Sequence, residues 1–110
     1  MVTKIRDFDI AEHLRSPEEM AAYLDACIAE SGGDTGFIAR ALGDVARARG
    51  MSALARETGL GRESLYKALS VDGNPQLDTV LKVARALGLR LSVRPDRKHS
   101  NEITKEAVVR

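Results

Sequence analysis

The chain has no tryptophan, one cysteine, two histidines and three prolines, and only 4% of its 110 residues are aromatic. With Cys27 alone there is no internal disulfide, and with only His13 and His99 beside it a metal site is not expected. No bound cofactor is expected either. So few aromatic rings require an aliphatic core of Leu, Val, Ile and Ala, which suits a helical bundle better than a β-sandwich. No apolar run approaches the roughly 18 residues of a membrane span. The first residues, Met-Val-Thr-Lys-Ile-Arg-Asp-Phe-Asp, lack the apolar centre of a signal peptide. A reducing cytoplasm is the simplest compartment for such a chain.

Charge of one sign is also scarce, since the net value is +1. Its distribution is uneven. Residues 1–33 carry seven acidic side chains against three basic, whereas residues 34–98 carry twelve basic against seven acidic. An acidic arm on a basic body fits a protein with two partners, one of them rich in phosphate. A hydrophobic share of 44% with 30% charged residues is ordinary for a soluble globular chain of one domain with arms.

Residues 1–15 read as an extended arm, with a short strand around Lys4–Ile10 where Ile5, Phe8 and Ile10 alternate weakly with polar residues. Ser16-Pro17-Glu18-Glu19 is a helix start: Ser16 caps, Pro17 fits the first turn and Glu19 completes a capping box. Met20, Leu24, Cys27, Ile28 and Ser31 form that helix's apolar stripe, with Cys27 as a small packed hydrophobe, and Gly32-Gly33 ends it. Asp34 or Thr35 caps a second helix to about Arg49, burying Phe37, Ile38, Ala41, Leu42 and Val45. Ser52 is the expected cap of a short third helix. Gly59 stops it, at a position that often needs φ > 0. A fourth helix buries Leu65, Ala68 and Leu69. After the loop 70–75, in which Asn74 is the expected cap, a fifth helix runs to Leu87 with Leu77, Val80, Leu81, Ala84 and Leu87 inward, and Gly88 closes it. Leu89-Arg-Leu-Ser-Val-Arg94 alternates with period two and reads as a half-buried strand ended by Pro95. A lone strand needs a partner, which is the N-terminal arm, the same strand of a second subunit, or another protein.

The fourth helix differs in kind from the others. Its outward positions are Arg62, Glu63, Ser64, Tyr66 and Lys67, on a short helix held behind a tight turn, which is how a helix-turn-helix reads the DNA major groove. Arg62 can make a paired hydrogen bond to guanine, Glu63 can accept from cytosine, and Ser64 and Lys67 suit a base edge or a phosphate. Tyr66 can stack on a sugar or bind phosphate through its hydroxyl. No carboxylate is paired with a histidine, and Gly59-Leu60-Gly61 is too short for a dinucleotide fingerprint, so an enzyme is not expected.

From Ala41 to Pro95 the sequence resembles the Cro/C1-repressor (Xre) type of helix-turn-helix. More closely, Leu42-Gly-Asp-Val-Ala-Arg-Ala-Arg-Gly-Met-Ser52, Arg56-Glu-Thr-Gly-Leu-Gly-Arg-Glu-Ser-Leu-Tyr-Lys-Ala-Leu69, Gly73-Asn-Pro75 and Leu81–Pro95 resemble the addiction-module antidote proteins, relatives of the HigA antitoxins. Phe8-Asp-Ile-Ala-Glu-His-Leu14 continues the match. The chain departs from the general repressor pattern between Gly50 and Leu54, where that pattern has a longer opening with a glutamine that grips phosphate. The resemblance implies an all-α, five-helix lambda-repressor-like DNA-binding domain with an N-terminal arm and helix and a short C-terminal β-strand. Its parts would be residues 1–33 as arm and capping helix, 34–95 as the DNA-binding domain with its strand, and 96–110 as a mobile tail. It further implies a homodimer that represses its own operon on double-stranded operator DNA and neutralises a RelE/HigB-type ribonuclease toxin. The same residues also fit a stand-alone, prophage-type regulator without a toxin. An interaction module holding a basic protein through Glu12, Glu18, Glu19, Asp25 and Glu30 is a further reading.

Overall fold

The computed structural model describes residues 12–96, and among these all regular secondary structure is helical. Five helices follow in order: α1 (Pro17–Ser31), α2 (Thr35–Arg49), α3 (Met51–Thr58), α4 (Arg62–Ala68) and α5 (Leu77–Ala86). The expected strand in the arm and the expected mobile tail beyond residue 96 lie outside the described residues.

Local chemistry sets the helix ends much as expected. Ser16 Oγ accepts from the Glu19 N–H at 3.1 Å, and Glu19 Oε1 accepts in return from the Ser16 N–H at 3.2 Å. Asp34 Oδ1 accepts from the N–H groups of Gly36 and Phe37, so Asp34 and not Thr35 is the cap of α2. Two caps differ from expectation. Helix α3 begins two residues early, at Met51, with Gly50 in the cap position and Ser52 already inside the first turn. Gln76, with no side-chain bond, stands where Asn74 was expected. Helix α5 ends in a paired closure, in which Gly88 N–H donates to Arg85 O and Leu89 N–H to Ala84 O.

The core is aliphatic. Leu54, Leu65, Leu69, Val45 and Val83 are its largest fully buried side chains. Each such burial stabilises by roughly 1.5–3 kcal/mol. Helices α2, α3, α4 and α5 all contribute to this one cluster, and α1 lies along α2, adding Met20 to it. Two stripes are rotated from the sequence expectation. On α5, Val83 is buried while Leu77 and Leu81 are 68% and 46% exposed. On α1, Ile28 is exposed and Leu24 only half-buried. Apolar spacing alone allowed either neighbouring face; contact with α3 selects the one through Val83.

Two features join the helices that composition did not reveal. Gly36 and Gly43, both inside α2, lie so close to the chain after α4 that a Cβ on either would collide with the backbone carbonyl of Val71 or Leu69. The second is polar. Tyr23 Oη donates to Asp44 Oδ2 at 2.7 Å, and Asp44 Oδ1 accepts from Arg47 at 3.1 Å, linking α1 to α2. Burial first, and then the bond to the Asp44 carboxylate, push the Tyr23 phenol well above its ordinary value.

Residues 89–94, expected as a strand, pair with no other strand among the described residues. A ladder needs a second segment.

Two outcomes follow. Gly43→Ala should lower stability by about 1–3 kcal/mol, measured by denaturant unfolding, because the Leu69 carbonyl cannot yield without moving α4. Because the folded pKa of Tyr23 is raised, its contribution is complete below the unfolded tyrosine value of about 10 and is lost above it. Stability should therefore fall through the alkaline range, and Tyr23→Phe should lack that component. The same variant should cost about 1–3 kcal/mol at neutral pH, since a bond to a carboxylate is removed.

Candidate nucleic-acid interface

The unit that presents α4 is built from α3, a three-residue turn and α4 itself. Leu54 points α3 inward, fully buried. Gly59 ends α3 at φ 76°, a left-handed conformation that a side chain would strain. Thr58 Oγ1 donates to Leu54 O at 2.7 Å and accepts from the Leu60 N–H at 3.2 Å, so one hydroxyl clamps both sides of the turn. Leu60 tucks against the core, and Gly61 opens α4 in extended conformation. Leu65 and Leu69 anchor the inner face of α4 at 1% and 0% exposure. Beyond it, Ser70 Oγ donates to Lys67 O and the Gly73 N–H to Ser70 O, closing the exit.

With that inner face fixed, the outer face is determined by helical geometry. Arg62, Glu63, Ser64, Tyr66 and Lys67 are all exposed, so the structure brings the five expected residues onto one solvent-facing surface. Glu63 and Lys67 occupy its centre, with Arg62 and Tyr66 on one flank and Ser64 on the other. The Arg62 guanidinium carbon is 5.9 Å from the Tyr66 ring centroid, a cation–aromatic contact across one turn that the sequence reading did not note, although its spacing permits it.

Electrostatically the face is uncommitted. Arg47 is held by Asp44, Arg49 by Glu57, Lys82 by Asp78 and Arg94 by Asp25. Among the described residues no carboxylate is paired with Arg62 or Lys67. Two cations and a hydroxyl on one short exposed helix can make hydrogen bonds and ion pairs to phosphate and base edges. The acidic set of α1 is less free. Glu19 is spent on the capping box and Asp25 on Arg94, leaving Glu12, Glu18 and Glu30 exposed.

Fold and face together define a small protein, all-helical in its regular structure among the described residues, with one short helix that carries an exposed polar face. The chain belongs to the family described as "Probable addiction module antidote protein", whose model matches residues 4–95. It is 50% identical over 97 residues to a Haemophilus influenzae protein that carries the name "Uncharacterized protein", a span of 88% of this chain and 98% of that relative. No solved structure matches the chain. An antidote acts on a toxin, so a toxin partner of some kind comes with the family. No helix among the described residues is long and apolar enough to cross a membrane.

Thr58→Val should cost about 1 kcal/mol or somewhat more in denaturant unfolding, because the turn loses a donor and an acceptor at once while volume is kept.

Proposed function

We propose that this protein is the DNA-binding antitoxin of a type II toxin–antitoxin module. It represses its own operon as a homodimer and neutralises a RelE/HigB-type ribonuclease toxin by direct binding. The observation that carries the DNA half is the exposed, unpaired cation face of α4 on a helix whose other face is fully anchored. Such a helix can enter the major groove without rearranging the core, with Arg62 on guanine, Glu63 on cytosine, Ser64 and Lys67 on base edge or phosphate, and Tyr66 on the sugar–phosphate flank. The family supports the antitoxin half, because an antidote must hold its toxin. The three exposed acids Glu12, Glu18 and Glu30 suit a basic ribonuclease. Two such helices in a dimer read a palindrome with half-sites about 34 Å apart. The chain works in the cytoplasm and carries out no catalysis of its own in this reading.

A gel-shift titration on the DNA upstream of its own gene tests the assignment. Arg62→Ala should cost roughly 1–3 kcal/mol and relax discrimination at one base position. Lys67→Ala should weaken binding and flatten the salt dependence by about one unit of slope if it contacts phosphate. Unchanged affinity and salt slope in both variants would remove α4 as the reading helix. Co-purification with the product of the adjacent gene at moderate salt checks the toxin. DNA binding without any such partner would leave a stand-alone regulator.

A further inference from the structure

Past the closure at Gly88 the chain runs beside α1 and is tied to it twice. Gly88 lies against Pro17 at the start of α1, and Arg94 Nη2 donates to both carboxylate oxygens of Asp25, two turns further along, at 2.9 and 3.0 Å. Between α1 and this segment lies a groove of about 640 Å³, floored by Leu42, Val80 and Ala84. No residue of α3 or α4 lines it. Apolar side chains stand around its mouth: Ile28 on α1 is 48% exposed and Leu91 on the facing segment 52%. On α5, the exposed Leu77 and Leu81 lie one turn apart beside the row of Val80 and Ala84. The apolar floor therefore continues onto the outside of that helix. A contiguous exposed apolar surface of this kind marks an interaction site.

We propose that the occupant is a second copy of the chain, docked along this face about a two-fold axis. Charge selects it. Glu18 on the α1 wall and Arg90 on the facing segment both line the groove. Neither has an oppositely charged partner among the described residues. The face thus carries one anion and one cation on either side of an apolar strip. A two-fold interface is self-complementary, so Glu18 of one protomer meeting Arg90 of the other generates a second, identical pair. The two apolar strips then cover each other.

A uniformly basic partner fits this groove less well, since it would meet Arg90 and would find Asp25 already held by Arg94. Glu12 and Glu30 do not line the groove and stay available to a toxin. The ties at Gly88 and Arg94 fix both walls before docking, which reduces the ordering that association requires. The inference rests on the homodimer of the proposed function and names its surface. The outer face of α4 remains uncovered, as the reading of DNA requires.

Sedimentation of the full chain across a range of concentrations tests it, with circular dichroism of each variant to check the helical fold. The unmodified chain should dimerise, and Leu81→Glu, at an exposed position, should weaken the dimer by about tenfold or more. Glu18→Arg and Arg90→Glu should each weaken it by about fivefold or more, because two like-charged pairs replace two opposite ones. Mixing those two variants should restore a heterodimer of the original strength, since both cross pairs are again opposite in sign. A pair formed within one chain could not be rescued in this way. A dimer insensitive to all three substitutions, or no recovery on mixing, would overturn this surface and leave the homodimer standing. An unmodified chain that stays monomeric would overturn both. If the substitutions spare the dimer and instead abolish co-purification with the product of the adjacent gene, the groove belongs to that partner and the proposal falls.

Discussion

The approach of α2 to the chain leaving α4 is the constraint on which the rest of this fold depends. At Gly36 and Gly43 the helix has no side chain, and backbone meets backbone at Val71 and Leu69. Close packing of this kind leaves no adjustable rotamer between the two elements. It sets the depth of α4, while the Thr58 clamp and the left-handed Gly59 set its entry angle. Leu65 and Leu69 then fill the remaining space. Both ends of a seven-residue helix are thus held by contacts outside it, which such a short helix needs, since its own hydrogen bonds make it marginal in isolation.

Charge is partitioned in the same architecture. Arg49 illustrates the structural use: one guanidinium donates to Ala86 O at the end of α5 and to Glu57 on α3, drawing three helices together. Arg94 likewise ties the segment after α5 to Asp25 on α1, and Arg47 pairs with Asp44 within α2. These exposed pairs each contribute little energy but they consume cations locally. The cations of α4 are among those left without a carboxylate among the described residues. A chain with a net charge of only +1 can therefore still present a locally basic surface.

Helix boundaries could be read closely from the sequence because caps are local chemistry. Ser16 with Glu19, Asp34, Gly59 and Gly88 each act within a few residues. The five outer residues of α4 could be read for a related reason, since Leu65 and Leu69 leave a single face for the polar ones. What could not be read was set by distant contacts. Leu77, Leu81 and Ile28 look identical to core residues until the position of the neighbouring helix is known. Gly36 and Gly43 look like weak points inside a helix, and only the packing partner shows their purpose. Tyr23 and Asp44 are 21 residues apart and give no pairwise signal in one sequence.

The outer face of α4 has one more property. None of its five side chains joins the buried cluster, and the Arg62 guanidinium lies over the Tyr66 ring. Substitutions at surface positions of this kind usually change stability by less than about 0.5 kcal/mol. Stability and the chemistry of this face are therefore separable in this molecule. Substitutions on the outer face of α4 change its surface chemistry while the frame that holds the helix keeps its packing.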